Sequence, residues 1–293
     1  MGTGSSAVAS NRRTRPGRLR SGVLPLSPRN PALATFSPRY TVVMTACVRP
    51  AAAFAPTLIR TDPAVRLADY REALRFWLNL PDRRVERVIF LENTGAPLGD
   101  LDEIVRRENP FGRECELCSF EANEIPPGLH YGYAEYRMLD VGLSRSRTWP
   151  KAGYLIKATG RYRFPAISHL LDRLPPDFAV AADARHNRRF LPKPQYIVTA
   201  PLWVAQNEFF EQHLRRAYLL MHPPPPHRGQ FIEDALYDVL MPLRDQPGVL
   251  LRWPVNCDPA GVGANGDDYD APRRRFLRLL RATGRRWLPH WWF

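Results

Sequence analysis

Lys157-Ala158-Thr159-Gly160-Arg161-Tyr162 places an ammonium, a hydroxyl, a guanidinium and a phenol within six residues, directly after the apolar run Tyr154-Leu155-Ile156. Such groups at a strand exit can hold an anion. Lys157 offers a point charge, Arg161 a planar fork, and Gly160 lets a ligand approach the backbone. A solvated surface turn is the competing reading of this stretch taken alone. Two other apolar runs end in a similar way. Val85–Leu91 leads into Glu92-Asn93-Thr94-Gly95, and Phe178–Ala182 leads into Asp183-Ala184-Arg185. In an open parallel sheet such ends line one edge, where ligands sit. Together they predict one cleft edge shared by Glu92, Lys157 and Asp183.

Asp183-Ala184-Arg185 supplies one carboxylate where a divalent metal on a diphosphate is commonly held by two. Arg185 cannot bind a metal, but it can neutralise a leaving diphosphate together with Lys157 and Arg161. No residue is therefore assigned to a metal, and metal dependence stays open. Asp100-Leu101-Asp102 reads as acids at a helix start, favoured by the dipole, and Asp268-Tyr269-Asp270 lies in a loop beside the glycine-rich Gly261–Gly266. Asp234 and Asp238 are four apart on an expected helix and so share a face. Two such carboxylates can position an acceptor hydroxyl and take its proton, or simply meet solvent. Cys115 and Cys118 form a CxxC inside an expected strand, with no second pair to complete a zinc site, and read as reduced structural cysteines.

These groups need a sheet to hold them. Tyr40–Ala46 is β-rich and reads as the first core strand. Asp62 before Pro63 is an N-cap with proline at the first helical position. Leu67, Tyr70, Leu74, Trp77 and Leu78 then share one helical face. Further strands are expected at Val85–Leu91, Glu116–Phe120, the run before Lys157, Phe178–Ala182, Tyr196–Ala200 and Leu250–Pro254. Helices are expected at Asp100–Arg107, His130–Leu143, Ile167–Leu174, Gln206–Leu220 and Gln230–Leu240. The alternation argues an α/β, doubly wound, mostly parallel sheet.

The net charge is +13, but residues 1–61 hold nine arginines and no acid, and residues 271–293 hold seven and no acid. The body between them carries −3, which argues against a nucleic-acid partner. Residues 1–38 read as a disordered basic tail, 39–270 as one domain, and 271–293 as a basic aromatic tail. In that tail arginines surround Phe276, Leu277, Leu279 and Leu280, and Trp287, Trp291, Trp292 and Phe293 follow. The pattern fits peripheral contact with an anionic membrane, and equally a helix packed on the domain. Gly284 and Pro289 are expected to limit that helix to two or three turns. The absence of a long apolar run or an apolar signal region points to the cytoplasm, at most peripheral at the inner face of the plasma membrane.

In order along the chain come Thr45 to Arg49, Arg66 with Asp69-Tyr70, Glu92-Asn93-Thr94-Gly95 and Gly132-Tyr133-Ala134-Glu135. Lys157–Tyr162, Asp183-Ala184-Arg185, Glu233-Asp234, and Gly261–Gly266 before Tyr269 follow. Over residues 40–280 this resembles a bacterial family of GT-A-like glycosyltransferases of lipopolysaccharide and capsule assembly, which includes the Kdo III transferase of the lipopolysaccharide core. Lys157–Tyr162 is the most specific part. The resemblance implies a GT-A-like (Rossmann-like) domain with a nucleotide-sugar donor and a surface-glycan or lipid-linked acceptor. It implies Asp234 as catalytic base, Lys157 and Arg161 at the diphosphate, and Thr45, Glu92, Asn93, Thr159, Asp183 and Arg185 around the nucleotide. Two other readings stand beside it. One is a non-catalytic domain of this fold that docks on membrane or nucleic acid through its basic ends. The other is a nucleotidyltransferase, which cations without a clear metal pair disfavour.

Overall fold

The computed structural model describes residues 38–51, 58–185, 197–223 and 231–288. The side chain of Arg185 lies outside the described residues, as do the basic N-terminal tail before residue 38 and Trp291, Trp292 and Phe293.

The first half alternates as its sequence does: β1 (Tyr40–Ala46), α1 (Pro63–Leu78), β2 (Val85–Glu92), α2 (Gly99–Arg107), β3 (Glu114–Ser119), α3 (Gly132–Arg145) and β4 (Tyr154–Thr159). Then come α4 (Ile167–Arg173), β5 (Val180–Ala181), β6 (Ala184–Arg185), β7 (Ile197–Val198), β8 (Leu202–Gln206) and the short α5 (Asn207–Phe209), which runs on as a π turn. The chain continues through α6 (Ile232–Leu240) and β9 (Val249–Leu250) to α7 (Pro272–Trp287). The main sheet has seven strands in the order β3-β2-β1-β4-β8-β5-β9. Strands β1 to β4 are mutually parallel, β8 runs against both β4 and β5, and β5 pairs parallel with β9. The α/β, mostly parallel sheet is the class expected from the sequence.

All seven residues of β1 are buried, because both faces of the sheet are covered. Val43, Ile89 and Leu155 pack under α3 and α6. Val42, Met44, Phe90, Ile156 and Ala158 pack under α1 and α4, against Tyr70, Leu74, Trp77 and Ile167. Helix α1 starts where its cap requires: Asp62 Oδ1 accepts from the Ala64 amide at 2.7 Å, a contact worth about 1 kcal/mol.

Two expectations are corrected. Strand β8, central in the sheet, was not anticipated; Leu202–Ala205 is a short apolar run behind Pro201, and the helical turns begin only after it. Helix α7 runs sixteen residues, straight through Gly284. The roughly 1 kcal/mol that glycine costs inside a helix is outweighed by the anchoring of Arg285, described below. Cys115 and Cys118 fall on opposite faces of β3, one packed against each core cluster, so they cannot share a metal ion. Among the described residues no helix is long and apolar enough to cross a membrane.

Candidate active site

Strand register decides which polar groups meet. Val43 lies beside both Ile89 and Lys157, and Thr45 beside both Leu91 and Thr159. With side chains alternating, Thr45, Lys157 and Thr159 share the α3 face. Glu92 pairs with Ala46, one residue on, and so projects from the opposite face. The shared edge therefore exists, but the three expected side chains do not converge on it.

At the centre of the α3 face is Glu135, an acid in the first turn of α3. Its Oε1 accepts from Thr45 Oγ1 at 2.8 Å, Lys157 Nζ at 2.8 Å and Thr159 Oγ1 at 2.7 Å. Burial alone would raise its pKa; the Lys157 ammonium and these hydrogen bonds overcome that and hold it down at about 2. Lys157 is fully buried. Its other bonds go to Thr159 Oγ1 at 3.0 Å and the Ala200 carbonyl at 2.7 Å. Three donors thus meet three acceptors inside the protein, and none is left for a diphosphate. Gly160 serves the backbone rather than a ligand: its amide donates to the Thr45 carbonyl at 2.8 Å, and a Cβ would sit 2.7 Å from that oxygen.

Arg161 differs from Lys157. Its guanidinium carbon lies 5.3 Å from the Tyr162 ring centroid, and its Nε is buried without a hydrogen-bond partner. Among the described residues it forms no ion pair. It lines a throat of about 50 Å³ over the ends of β1 and β4, together with Thr45, Arg66, Asn93, Glu135 and Thr159. Arg66 and Tyr70 of α1 fix the loop above: Arg66 Nε donates to the Cys47 carbonyl at 2.6 Å, and the Cys47 amide donates to the Tyr70 hydroxyl at 2.9 Å. The throat shares Ala51, Asn93, Asn123 and Ile125 with an open groove of about 730 Å³.

Glu92 is committed to that region's loops. Its carboxylate accepts from the amides of Val48, Thr94 and Ala96, all at 2.9 Å, and from two hydroxyls. Asp183 is fully buried, with both oxygens gripped by Arg285 Nη2 at 2.6 and 2.7 Å. With Arg185 beside it in sequence, this aspartate does not fit a divalent metal site. Among the described residues no group of three or more His, Cys, Asp or Glu could hold one.

A second cavity of about 330 Å³ lies among Thr199, Glu233, Trp253, Asp258, Tyr269 and three arginines of α7. Tyr162 and Tyr269, edge to face at 5.4 Å, join the β4 exit to its wall. Glu233 lines this cavity; Asp234, the expected base, is buried beside it and does not. Burial, with the charge of Glu135 adding to it, pushes Glu233 up to about 7. Glu135 and Glu233 are the residues that sequence reasoning missed as site groups. The only signal was their place in the Gly-Tyr-Ala-Glu and Glu-Asp segments.

No protein-family model and no curated protein matches the chain. Among solved structures it is similar to the WbbM bifunctional glycosyltransferase in its apo form, at 14% identity over 88% of this chain and 45% of that one, TM-score 0.45. It is similar to the mannosyltransferase PcManGT from Pyrobaculum calidifontis in complex with GDP-Man and Mn2+, at 13% identity over 86% and 65%, TM-score 0.42. It is also similar to a 4-diphosphocytidyl-2C-methyl-D-erythritol synthase, at 10% identity over 84% and 100%, TM-score 0.41. Likeness this distant assigns no role; the roles rest on the site itself.

Proposed function

We propose that the protein is a nucleotide-sugar-dependent glycosyltransferase, akin to the Kdo III transferase family, acting on a surface-glycan or lipid-linked acceptor at the inner face of the plasma membrane. The observation that carries this reading is Arg161: a guanidinium that forms no ion pair among the described residues, its Nε unpartnered, in the throat of a groove at the carboxyl edge of a parallel sheet. A planar fork in such a place suits a diphosphate. The groove, with Asn93 and Asn123 on its wall, is of a size to take a nucleoside. Thr45, Thr159 and Lys157 act through Glu135, which they hold ionised at the throat. Glu92 and Asp183 shape the edge without touching the donor.

Hydrolysis of a panel of nucleotide-sugars, with and without chelator, tests this. Slow release of the free nucleotide from one donor, unchanged by chelator, is expected. Binding without turnover for every donor would support the non-catalytic alternative, and nucleotidyl transfer from a triphosphate would support the other enzyme.

Glu233 is the group placed to take the acceptor's proton. A base with a pKa of about 7 works only when ionised. Turnover should therefore rise with pH through about 7, and Glu233→Gln should remove that limb together with most activity, while Asp234→Asn keeps it. A limb that survives in Glu233→Gln would exclude this assignment.

A further inference from the structure

Helix α7 reverses the usual arrangement of an amphipathic helix. Its seven arginines fall into two sets. Arg274, Arg278, Arg281 and Arg285 recur one turn apart, face the domain, and pair with Asp267 at 3.1 Å, Asp270 at 3.9 Å, Asp258 at 3.2 Å and Asp183 at 2.6 Å. These pairs fix the roll of the helix. With the polar face inward, Phe276, Leu279, Leu280 and Trp287 are left outside, 60, 67, 43 and 71% exposed. Arg273, Arg275 and Arg286 are exposed beside them. Among the described residues these three form no ion pair, and α7 contains no acid. Neutralised charge thus lies inward; uncompensated charge lies outward, next to the apolar ridge.

We propose that this outward ridge of α7 is a docking surface for an anionic lipid bilayer, with the helix lying in the plane of the interface. Aliphatic and aromatic side chains flanked by free arginines match the boundary between acyl chains and acidic headgroups. A nucleic acid would use the arginines but offer nothing apolar to Leu279 and Leu280. A second copy would set the three arginines against their own kind across a two-fold axis. The opposite face of α7 lines the 330 Å³ cavity, so docking holds that cavity about one helix diameter, roughly 10 Å, from the lipid. A lipid-carried acceptor would enter there, an entry that depends on the glycosyltransferase reading, whereas the docking does not.

The test is flotation of the full chain with phosphatidylcholine vesicles, with and without about one third phosphatidylglycerol, at low and high salt. Two variants are compared, Phe276→Ser/Leu279→Ser/Leu280→Ser and Arg273→Gln/Arg275→Gln/Arg286→Gln. All six side chains are exposed, so both variants should keep the wild-type urea midpoint. Binding should be at least tenfold stronger on anionic than on neutral vesicles, fall at least tenfold in either variant, and weaken with salt. Equal recovery of wild type and both variants overturns the proposal, as does equal recovery on neutral vesicles. So does a ridge whose loss changes duplex-DNA binding or dimer mass instead of flotation. Nucleotide-sugar hydrolysis in the absence of vesicles is read separately, so failure of the docking and failure of the enzymatic reading are told apart.

Discussion

Arg161→Ala is expected to lower turnover roughly 10²–10³-fold while costing only about 1 kcal/mol of stability. A fixed cation facing charge that develops on a leaving diphosphate supplies about 3–4 kcal/mol to the barrier. Within the fold Arg161 contacts Tyr162 and feels the charge of Glu135, but among the described residues no carboxylate forms an ion pair with it, and its Nε is already without a partner. Its removal therefore strands no buried charge. Arg161→Lys should recover only part of the loss, because an ammonium replaces the charge but not the two-pronged geometry. Steady-state turnover beside urea unfolding decides the matter. A variant keeping more than about a third of wild-type turnover would remove Arg161, and the donor site with it.

Lys157→Ala should do the reverse and act first on the fold. Taking one partner from a buried ion pair costs about 3–5 kcal/mol, because the other charge stays behind in the core. Here Glu135 would keep two hydroxyl donors and lose the Lys157 ammonium paired with it. Exchanging both partners, as in Lys157→Met with Glu135→Leu, should return most of the stability while leaving the throat without its carboxylate. The pH dependence follows from the depressed Glu135 pKa. Its contribution is complete above the unfolded value near 4.5 and drains away as pH falls toward about 2. Below that range wild type and the double variant should converge. Urea midpoints across pH 2–7 check both statements, and a Lys157→Ala protein as stable as wild type would contradict them.

Much of the frame was legible because local signals agreed. Tyr40–Ala46 is rich in strand-forming Tyr, Thr and Val, and Asp62-Pro63 marks a helix start without help from the rest of the chain. The strand before Lys157 and the α/β alternation follow from the same kind of reading. What was not legible depends on the third dimension. Leu202–Ala205 looks too short to be a central strand; it becomes one because β4 and β5 offer it two open edges. Glu92 and Lys157 both end apolar runs, and only the register, in which Glu92 falls opposite Ala46 and Lys157 opposite Val43, reveals that they leave opposite faces. Lys157 is legible as a cation at the end of an apolar run, but whether its donors face a ligand or a carboxylate is decided by α3, which arrives from residues 132–145. Gly284 gave a stop signal that an ion pair with a residue about a hundred positions earlier overrides.

That pair also sets a timetable. Asp183 and Arg285 stand 102 residues apart, so a ribosome finishes the aspartate well before it adds the arginine. The pairings among β1 to β4 join strands already made, and they can form as the chain emerges, before β8 covers the outer edge of β4. The β5 side of the sheet cannot be completed so early: until the distant helix is made, Asp183 lacks the Arg285 guanidinium that grips both of its oxygens. That order predicts assembly in two instalments, a parallel half early and a locking helix late. In the interval the unfinished edge is the natural place for a chaperone to bind and for proteolysis to begin.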